Sequence, residues 1–141
     1  WIENDRKQKT KQVQTGARIS ICAKYQAVNT DGINAVKVAF ALNTIQNIQV
    51  SDLSSETTGD ELGLHDSAVG IIRCTIEKLP VNVGIYTYNI MVRDQNRDVI
   101  DNISEAGKFN VVEGDYFGTG KITLSDRLIM MEHKWGISSD E

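Results

Sequence analysis

Apolar and polar side chains alternate with a period of two along much of this chain, which is typical of strands with one buried face. The alternating runs are residues 17–26, 36–43, 46–50, 68–79, 85–94, a short stretch near Val99, and 108–112. Polar turn clusters separate these runs, and no helical period is sustained between them. The chain is therefore predicted to be all-β.

The choice of apolar residue also favours strands. Ile, Val and Thr together account for 38 of the 141 residues, whereas Leu accounts for only 7. β-branched side chains fit the pleated surface of a sheet better than the face of a helix. A chain of this length forms one domain around one core. Short strands joined by polar turns then predict an antiparallel β-sandwich.

Three segments fall outside the alternation. Residues 3–15 are almost entirely polar, with lysines between Gln and Thr, and this composition predicts a solvated linker over residues 1–15. Residues 51–66 are rich in Ser, Thr, Asp and Gly and predict a loop. Residues 122–135 carry several apolar side chains, which need an added strand or a partner to cover them. The predicted sandwich domain spans residues 16–137.

Charge and hydropathy exclude several classes of protein. The net charge is −4 with no block of like charges, so no nucleic-acid partner is expected. Apolar stretches are a few residues long, far short of the ~20 residues that span a bilayer. Because the chain opens at Trp1 without a charged-then-apolar leader, we expect an excised domain of a longer protein.

The two cysteines are too few for a disulfide framework and lack a metal-binding spacing. The alternation places Cys22 on the outward face of its strand and Cys74 on the inward face of another, which argues against a bridge. Free thiols in a reducing compartment are the expectation, and one bridge between strands is the alternative.

Two motifs have the spacing of ligand loops but lack required residues. Gly118-Thr119-Gly120-Lys121 would be the end of a phosphate loop, yet Asp115 replaces its first glycine and Ile122 its final Ser or Thr. Asp94 to Glu105 has the oxygen spacing of a calcium loop, with Val99 where glycine is needed. A glycine-rich turn and an ordinary hairpin are expected, and no metal or cofactor is predicted.

The sequence contains no recognisable catalytic constellation. His65-Asp66 has the residue types of a general base and its orienting carboxylate, but no Ser or Cys lies in a nucleophile elbow. His65 and His133 are interpreted as surface residues. Asn102-Ile103-Ser104 matches a glycosylation sequon, a short pattern that is frequent by chance. The chain is predicted not to be an enzyme.

Polar side chains on the outward faces of two strands form the candidate binding site. Its predicted residues are Lys37, Asn43, Thr87, Asn89 and Arg93. If these strands are neighbours, the small Ala39 and Ala41 leave a shallow depression between longer polar side chains. Forked hydrogen-bonding groups around such a surface suit the hydroxyls of a sugar. The alternative is that these residues form the solvated face of a sheet.

Several short runs carry a resemblance to a known family. They are Phe109 to Gly120 (FNVVEGDYFGTG), His133-Lys134-Trp135, Thr15-Gly16-Ala17, Leu79-Pro80 and Gly84-Ile85-Tyr86. Together they resemble the C-terminal carbohydrate-binding domain of Wzt, the ATPase subunit of O-antigen polysaccharide ABC transporters. The resemblance covers residues 15–136, nearly all of the predicted folded part.

This resemblance implies an immunoglobulin-like sandwich in the cytoplasm, held at the inner membrane through the transporter complex. It implies recognition of the non-reducing end of a lipid-linked O-antigen polysaccharide, with or without a terminating modification. The implied partners are an upstream nucleotide-binding domain, the transporter's membrane subunit and a second copy of the chain. In such a homodimer, the segment around residues 122–137 is exchanged between subunits. The ATPase activity would belong to the upstream domain.

Two other interpretations stay open at this point. One is a structural dimerisation module of the transporter ATPase that binds no glycan. The other is an unrelated adhesion domain of the same fold class, which would be expected to carry a bond between Cys22 and Cys74.

Overall fold

The computed structural model describes residues 1–63, 69–122 and 127–139. These contain ten strands and one short helix, in the order β1 (Ile2–Glu3), β2 (Lys9–Thr10), β3 (Gln12–Gln14), β4 (Ile19–Gln26), β5 (Ala35–Thr44), β6 (Gln49–Ser54), α1 (Ser55–Thr58), β7 (Leu62–Gly63), β8 (Val69–Ile76), β9 (Gly84–Asp94) and β10 (Val99–Val112). No helix in this part of the chain is long and apolar enough to cross a membrane.

The strands form two sheets. The smaller has the order β2-β1-β4-β8, and the larger has the order β3-β10-β9-β5-β6 with β7 added beside β5. All described pairs are antiparallel except β3 with β10, which is parallel. The prediction of an all-β, immunoglobulin-like sandwich is confirmed.

The core lies between the sheets, where the inward side chains of each alternating strand meet. β4 contributes Ile19 and Ile21, and β5 contributes Val38, Phe40 and Leu42. Aromatic rings from β9 and β10 complete it: Tyr86 stacks on Phe109 with ring centroids 5.9 Å apart, and Tyr88 meets Phe40 edge-on at 6.4 Å. Large aromatic surfaces of this kind dominate the apolar area that a small sandwich buries.

One end of the sandwich is fixed by a tyrosine corner. The hydroxyl of Tyr86 donates a 2.7 Å hydrogen bond to the carbonyl oxygen of Asn82, four residues upstream, as in many immunoglobulin-like domains. Nearby, the Gly16 amide donates to the carbonyl of Leu79 at 2.7 Å, and the Thr15 hydroxyl donates to the carbonyl of Val81 at 2.9 Å. Three of the runs that carry the resemblance, around Gly16, Leu79 and Tyr86, therefore meet in one place.

The linker prediction for residues 1–15 is wrong. This segment forms β1, β2 and β3, and its Ile2 and Val13 are 2% and 6% exposed in the core. β1 pairs with β4 in the smaller sheet, whereas β3 pairs with β10 in the larger one. Strands this short need only one apolar side chain each, so their polar composition did not reveal them.

The loop prediction for residues 51–66 is wrong in its first half. β6 extends to Ser54, and α1 follows before Gly59 ends the helix with a φ of +78°. β6 lies at the edge of its sheet, where one solvated face tolerates Ser and Asp. His65 and Asp66 lie outside the described residues. The two short strands predicted near Val99 and at 108–112 are one continuous strand, β10.

The cysteines lie on opposite faces of adjacent strands. Cys74 pairs with Ile21 on the inward face, Cys22 pairs with Arg73 on the outward face, and both thiols are free. Burial, reinforced by the nearby Glu3 carboxylate, raises the pKa of the Cys22 thiol to about 11. The prediction of outward Cys22 and inward Cys74 is confirmed, and this geometry does not allow the bridge expected of an adhesion domain.

The C-terminal segment contacts one end of the sandwich through several residues between Leu128 and His133. The Asn82 amide donates to Leu128 at 2.9 Å, and the Met130 amide donates to Pro80 at 2.6 Å. Farther along, Glu132 pairs with Lys78 at 3.4 Å and the His133 ring meets Phe117 edge-on at 5.4 Å. Trp135 then has 91% of its surface exposed. Exchange of this segment between subunits stays a prediction.

Candidate functional site

The pairing of β5 with β9 places all five predicted site residues on the outer face of the larger sheet. Lys37 lies opposite Arg93, and Asn43 lies opposite Thr87. Between these two rows, Ala39 faces Met91 and Ala41 faces Asn89. The condition on which the site prediction depended, that these two strands are neighbours, is therefore met.

A cleft of about 700 Å³ crosses this face, and we call it the trough. Its lining residues are Ala39, Ala41, Gln49, Val50, Ser51, Asp52, Ser54, Asn89, Met91, Arg93, Asn102 and Ser104. The two alanines keep the middle of the face low, while longer polar side chains from β6, β9 and β10 surround them. The trough thus combines a small-residue floor with hydrogen-bonding walls.

Three of the five predicted residues do not line the trough. Asn43 and Thr87 are only 5% and 8% exposed, and the Asn43 side-chain amide donates to the carbonyl of Ala41. These two residues lie at one end of the sheet face. There Asn43 pairs with Gln49 of β6, and Thr87 pairs with Lys108 of β10. The alternation pattern correctly predicts that both side chains lie on the outer face. It does not predict that neighbouring side chains bury them there.

Lys37 lies beyond one end of the trough in a cluster of charges. Its Nζ is 3.4 Å from Oε1 of Glu56 in α1, and the same oxygen accepts a hydrogen bond from Arg97. The hydrogen bond from Arg97, with a further one from Lys37, lowers the pKa of the Glu56 carboxyl. Arg93 lies directly across from Lys37, yet its buried Nε has no hydrogen-bond partner.

Asn89 shapes the trough through a bulge in β10. Three residues, 104–106, stand between the pairs Ile103 with Ile90 and Gly107 with Tyr88, so they face Asn89 alone. Oδ1 of Asn89 accepts a 2.8 Å hydrogen bond from the Glu105 amide, whose residue has a φ of +49°. Bulges commonly redirect side chains beside binding sites. Here Ser104 reaches the rim of the trough.

Sequence reasoning missed Asp52, Ser54, Asn102 and Ser104, which complete the walls. Asp52 and Ser54 lay within the segment interpreted as a loop. Asn102 and Ser104 formed part of the sequon, and their two-residue spacing is the signal that could have placed both on the outer face.

The outer face of the smaller sheet carries Lys24, Gln26, Arg73 and Thr75, and β1 extends this face because it pairs with β4. Glu3 of β1 accepts hydrogen bonds from the Trp1 indole at 3.0 Å and from Arg73 at 3.3 Å. These bonds lower the pKa of the Glu3 carboxyl. Arg73 therefore already has an anionic partner, in contrast to Arg93.

A second cavity of about 780 Å³ lies at the open end between the sheets. Its lining is largely apolar and includes Val36, Ile72, Val92 and Ile100. Leu62 and Gly63 also line it, and they directly precede residues 64–68, which are outside the described part of the chain. We assign no ligand to this cavity.

Both ligand-like loops are held by their own carboxylates. Asp115 accepts hydrogen bonds from the amides of Thr119 and Gly120 at 3.2 and 2.8 Å, so the amides that a phosphate would need are occupied. Asp94 accepts from the amides of Asn96 and Asp98 in the hairpin turn between β9 and β10. A turn and a hairpin were predicted, and both are confirmed. Residues 1–63, 69–122 and 127–139 contain no metal-binding cluster of His, Cys, Asp or Glu.

A family comparison accounts for this architecture. The family model of the Wzt C-terminal domain matches residues 1–124. The chain belongs to the Wzt C-terminal domain family. A solved structure described as "Crystal structure of the C-terminal domain of wzt" is similar to it, with a TM-score of 0.72 and 9% sequence identity over 97% of this chain and 80% of that one. At this identity the similarity establishes the fold. No curated protein matches the chain.

Membership of the Wzt C-terminal domain family confirms the resemblance seen in the sequence. The match begins at residue 1, so it includes the N-terminal strands that complete both sheets. It also includes every residue that lines the trough.

Proposed function

We propose that this Wzt C-terminal domain is a non-catalytic glycan-recognition module of an O-antigen exporter, and that it binds the polysaccharide in the trough. The observation that carries the proposal is a polar-walled cleft on an otherwise regular sheet face in a member of this family. The expected ligand is the non-reducing end of a lipid-linked O-antigen polysaccharide.

The walls of the trough supply the chemistry that sugar hydroxyls require. Asp52 accepts hydrogen bonds, the amide of Asn102 both donates and accepts, and the hydroxyls of Ser51 and Ser54 do the same. The side chains of Ala39 and Ala41 offer an apolar patch for the C–H face of a pyranose ring. Forked polar groups around a small apolar floor discriminate sugars by the orientation of their hydroxyls.

The proposed setting is the cytoplasmic side of the inner membrane, with the domain tethered to a nucleotide-binding domain and to the transporter's membrane subunit. A homodimer is part of the proposal. It is supported by the apolar side chains of Met131, Trp135 and Ile137, which this chain leaves exposed on the C-terminal segment. A second copy of the chain would bury them.

The test is binding of the purified chain to O-polysaccharides of several serotypes, each intact and with its non-reducing end trimmed. Ala41→Tyr fills the floor of the trough and should abolish binding, because a ring replaces the methyl group between the walls. Thr75→Tyr is the matched control, since it adds a ring to an exposed strand position of the other sheet.

Binding that is lost on trimming and in A41Y, but kept in T75Y, would support the proposal. Equal affinity of A41Y and the parent would reject the trough as the site. An intact dimer that binds no polysaccharide would favour the alternative of a dimerisation module. The adhesion-domain alternative lacks its expected disulfide, because both cysteines are free.

A further inference from the structure

Arg93 is the arginine that lines the trough, and it lacks a partner of opposite charge in the described part of the chain. Its Nε is buried without a hydrogen-bond partner, and among the residues described none forms an ion pair with its guanidinium. By contrast, Arg18 pairs with Glu77 and Arg73 pairs with Glu3. A buried guanidinium N–H that lacks an acceptor is destabilising unless a ligand supplies one.

Two further cationic side chains lie near Arg93, which favours binding of an anion there. Lys37 lies directly opposite on β5, and like charges at that position destabilise a sheet. Arg97 adds a third cation, and both Lys37 and Arg97 use the single carboxylate of Glu56. Lys37 and Arg97 thus pair with the same carboxylate, which leaves none of its charge for Arg93.

The acidic group of the trough lies too far away to compensate. Asp52 is on β6 opposite Ala41, four residues along β5 from Lys37. At a strand rise of about 3.4 Å per residue, this places it roughly 14 Å farther along the sheet. Solvent and salt screen charges at such a separation. The trough therefore has a cationic end at Arg93 and an acidic side at Asp52.

We propose that the Arg93 end of the trough binds an oxyanion carried by the glycan, a carboxylate or a phosphate. A guanidinium presents parallel N–H donors that match two oxygens of either group. Lys37 would contribute charge rather than directional bonds. This inference rests on the proposed function, since it takes the trough as the glycan site and names the class of group held at one end.

The first experiment follows the Nε–Hε resonance of Arg93 in the ¹⁵N-labelled chain, assigned by its absence in Arg93→Lys. Sodium phosphate, sodium glucuronate and neutral methyl mannoside are titrated separately, with sodium chloride as the ionic-strength control. We expect a saturable shift with phosphate, glucuronate or both, and none with methyl mannoside or chloride. The anion that saturates at lower concentration identifies the preferred chemistry.

The second experiment compares an acidic and a neutral O-polysaccharide on two variants that each lose one positive charge. Arg93→Gln should weaken binding of the acidic polymer by about 10-fold or more, the range expected for losing a charged hydrogen bond. Lys24→Gln, on the exposed outer face of the smaller sheet, should leave affinity within about 2-fold because surface charges contribute little.

The outcomes separate this inference from the proposed function. If a polysaccharide binds in a manner sensitive to A41Y while R93Q changes nothing and no anion shifts Arg93, the glycan site stands and the oxyanion inference is overturned. If anions saturate Arg93 but no polysaccharide responds to A41Y, the oxyanion site stands and the proposed function fails.

Discussion

At the scale of single residues, Tyr86 connects the turn before β9 to the core, because its hydroxyl bonds to the turn and its ring packs in the core. The ring is 2% exposed and stacks on Phe109, while its hydroxyl reaches the carbonyl of Asn82. One side chain thus fills apolar space and satisfies a backbone acceptor in the same turn.

Tyr86→Phe should destabilise the domain by about 1 kcal/mol, because it removes the donor and keeps the ring. The measurement is the urea midpoint of unfolding. Tyr25→Phe is the control, as the Tyr25 hydroxyl has no hydrogen-bond partner within the described chain, and a change within about 0.5 kcal/mol is expected. Equal losses in the two variants would contradict the importance assigned to the corner.

At the scale of elements, the bulge of β10 separates the part of the strand that closes the core from the part that forms the trough. On the N-terminal side of the bulge, from Val99, the strand is exposed. On its C-terminal side Phe109 and Val111 are buried. Gly107 belongs to this change, because a Cβ there would meet the Tyr88 hydroxyl at 2.1 Å. Gly107 thus leaves space for Tyr88 of β9 next to the stretch of β10 that forms a wall of the trough.

Asn89 should therefore act through the bulge as well as on the ligand. Asn89→Ala removes the acceptor of the Glu105 amide and should speed hydrogen exchange at that amide by about 10-fold, the equivalent of one hydrogen bond. Asn89→Asp keeps the oxygen and should preserve protection, while losing the side-chain donor that faces the trough. Loss of protection in both variants would show that the bulge depends on the amide group itself.

The sequence predicted strands where alternation was long and missed them where it was short. β4, β5, β8 and β9 were all expected, because each has at least three inward apolar side chains. β1 and β3 depend on tertiary pairing around Ile2 and Val13, which local pattern does not report. In the trough, Asn89 and Arg93 were predicted, whereas Asp52 required the pairing of β6.

At the scale of the whole molecule, two carboxylates connect segments far apart in the chain. Glu3 holds Trp1 and Arg73, and Glu56 holds Lys37 and Arg97. The hydrogen bonds that these carboxylates accept lower the pKa of both. A lowered folded-state pKa adds stability above the ordinary carboxyl pKa and loses it as pH falls through the folded value.

The domain should consequently lose stability on acidification from about pH 5 towards pH 3. Glu56→Gln should reduce that loss, because the variant no longer gains from the ionised carboxylate at neutral pH. Glu113→Gln removes the same charge from an exposed position and is the control. Urea midpoints at pH 7 and pH 4 provide the measurement. An unchanged pH dependence in E56Q would contradict the assignment.

The N-terminal segment also bears on how the domain responds to force. Its first strand is bonded into the smaller sheet and its third into the larger one, beside β10. Because interstrand hydrogen bonds run across the strands, tension along the segment would load those of β3 and β10 together instead of opening them one by one. A pull on residue 1 would be met first by the smaller sheet through β1 and then, through β3, by the sheet that carries the trough.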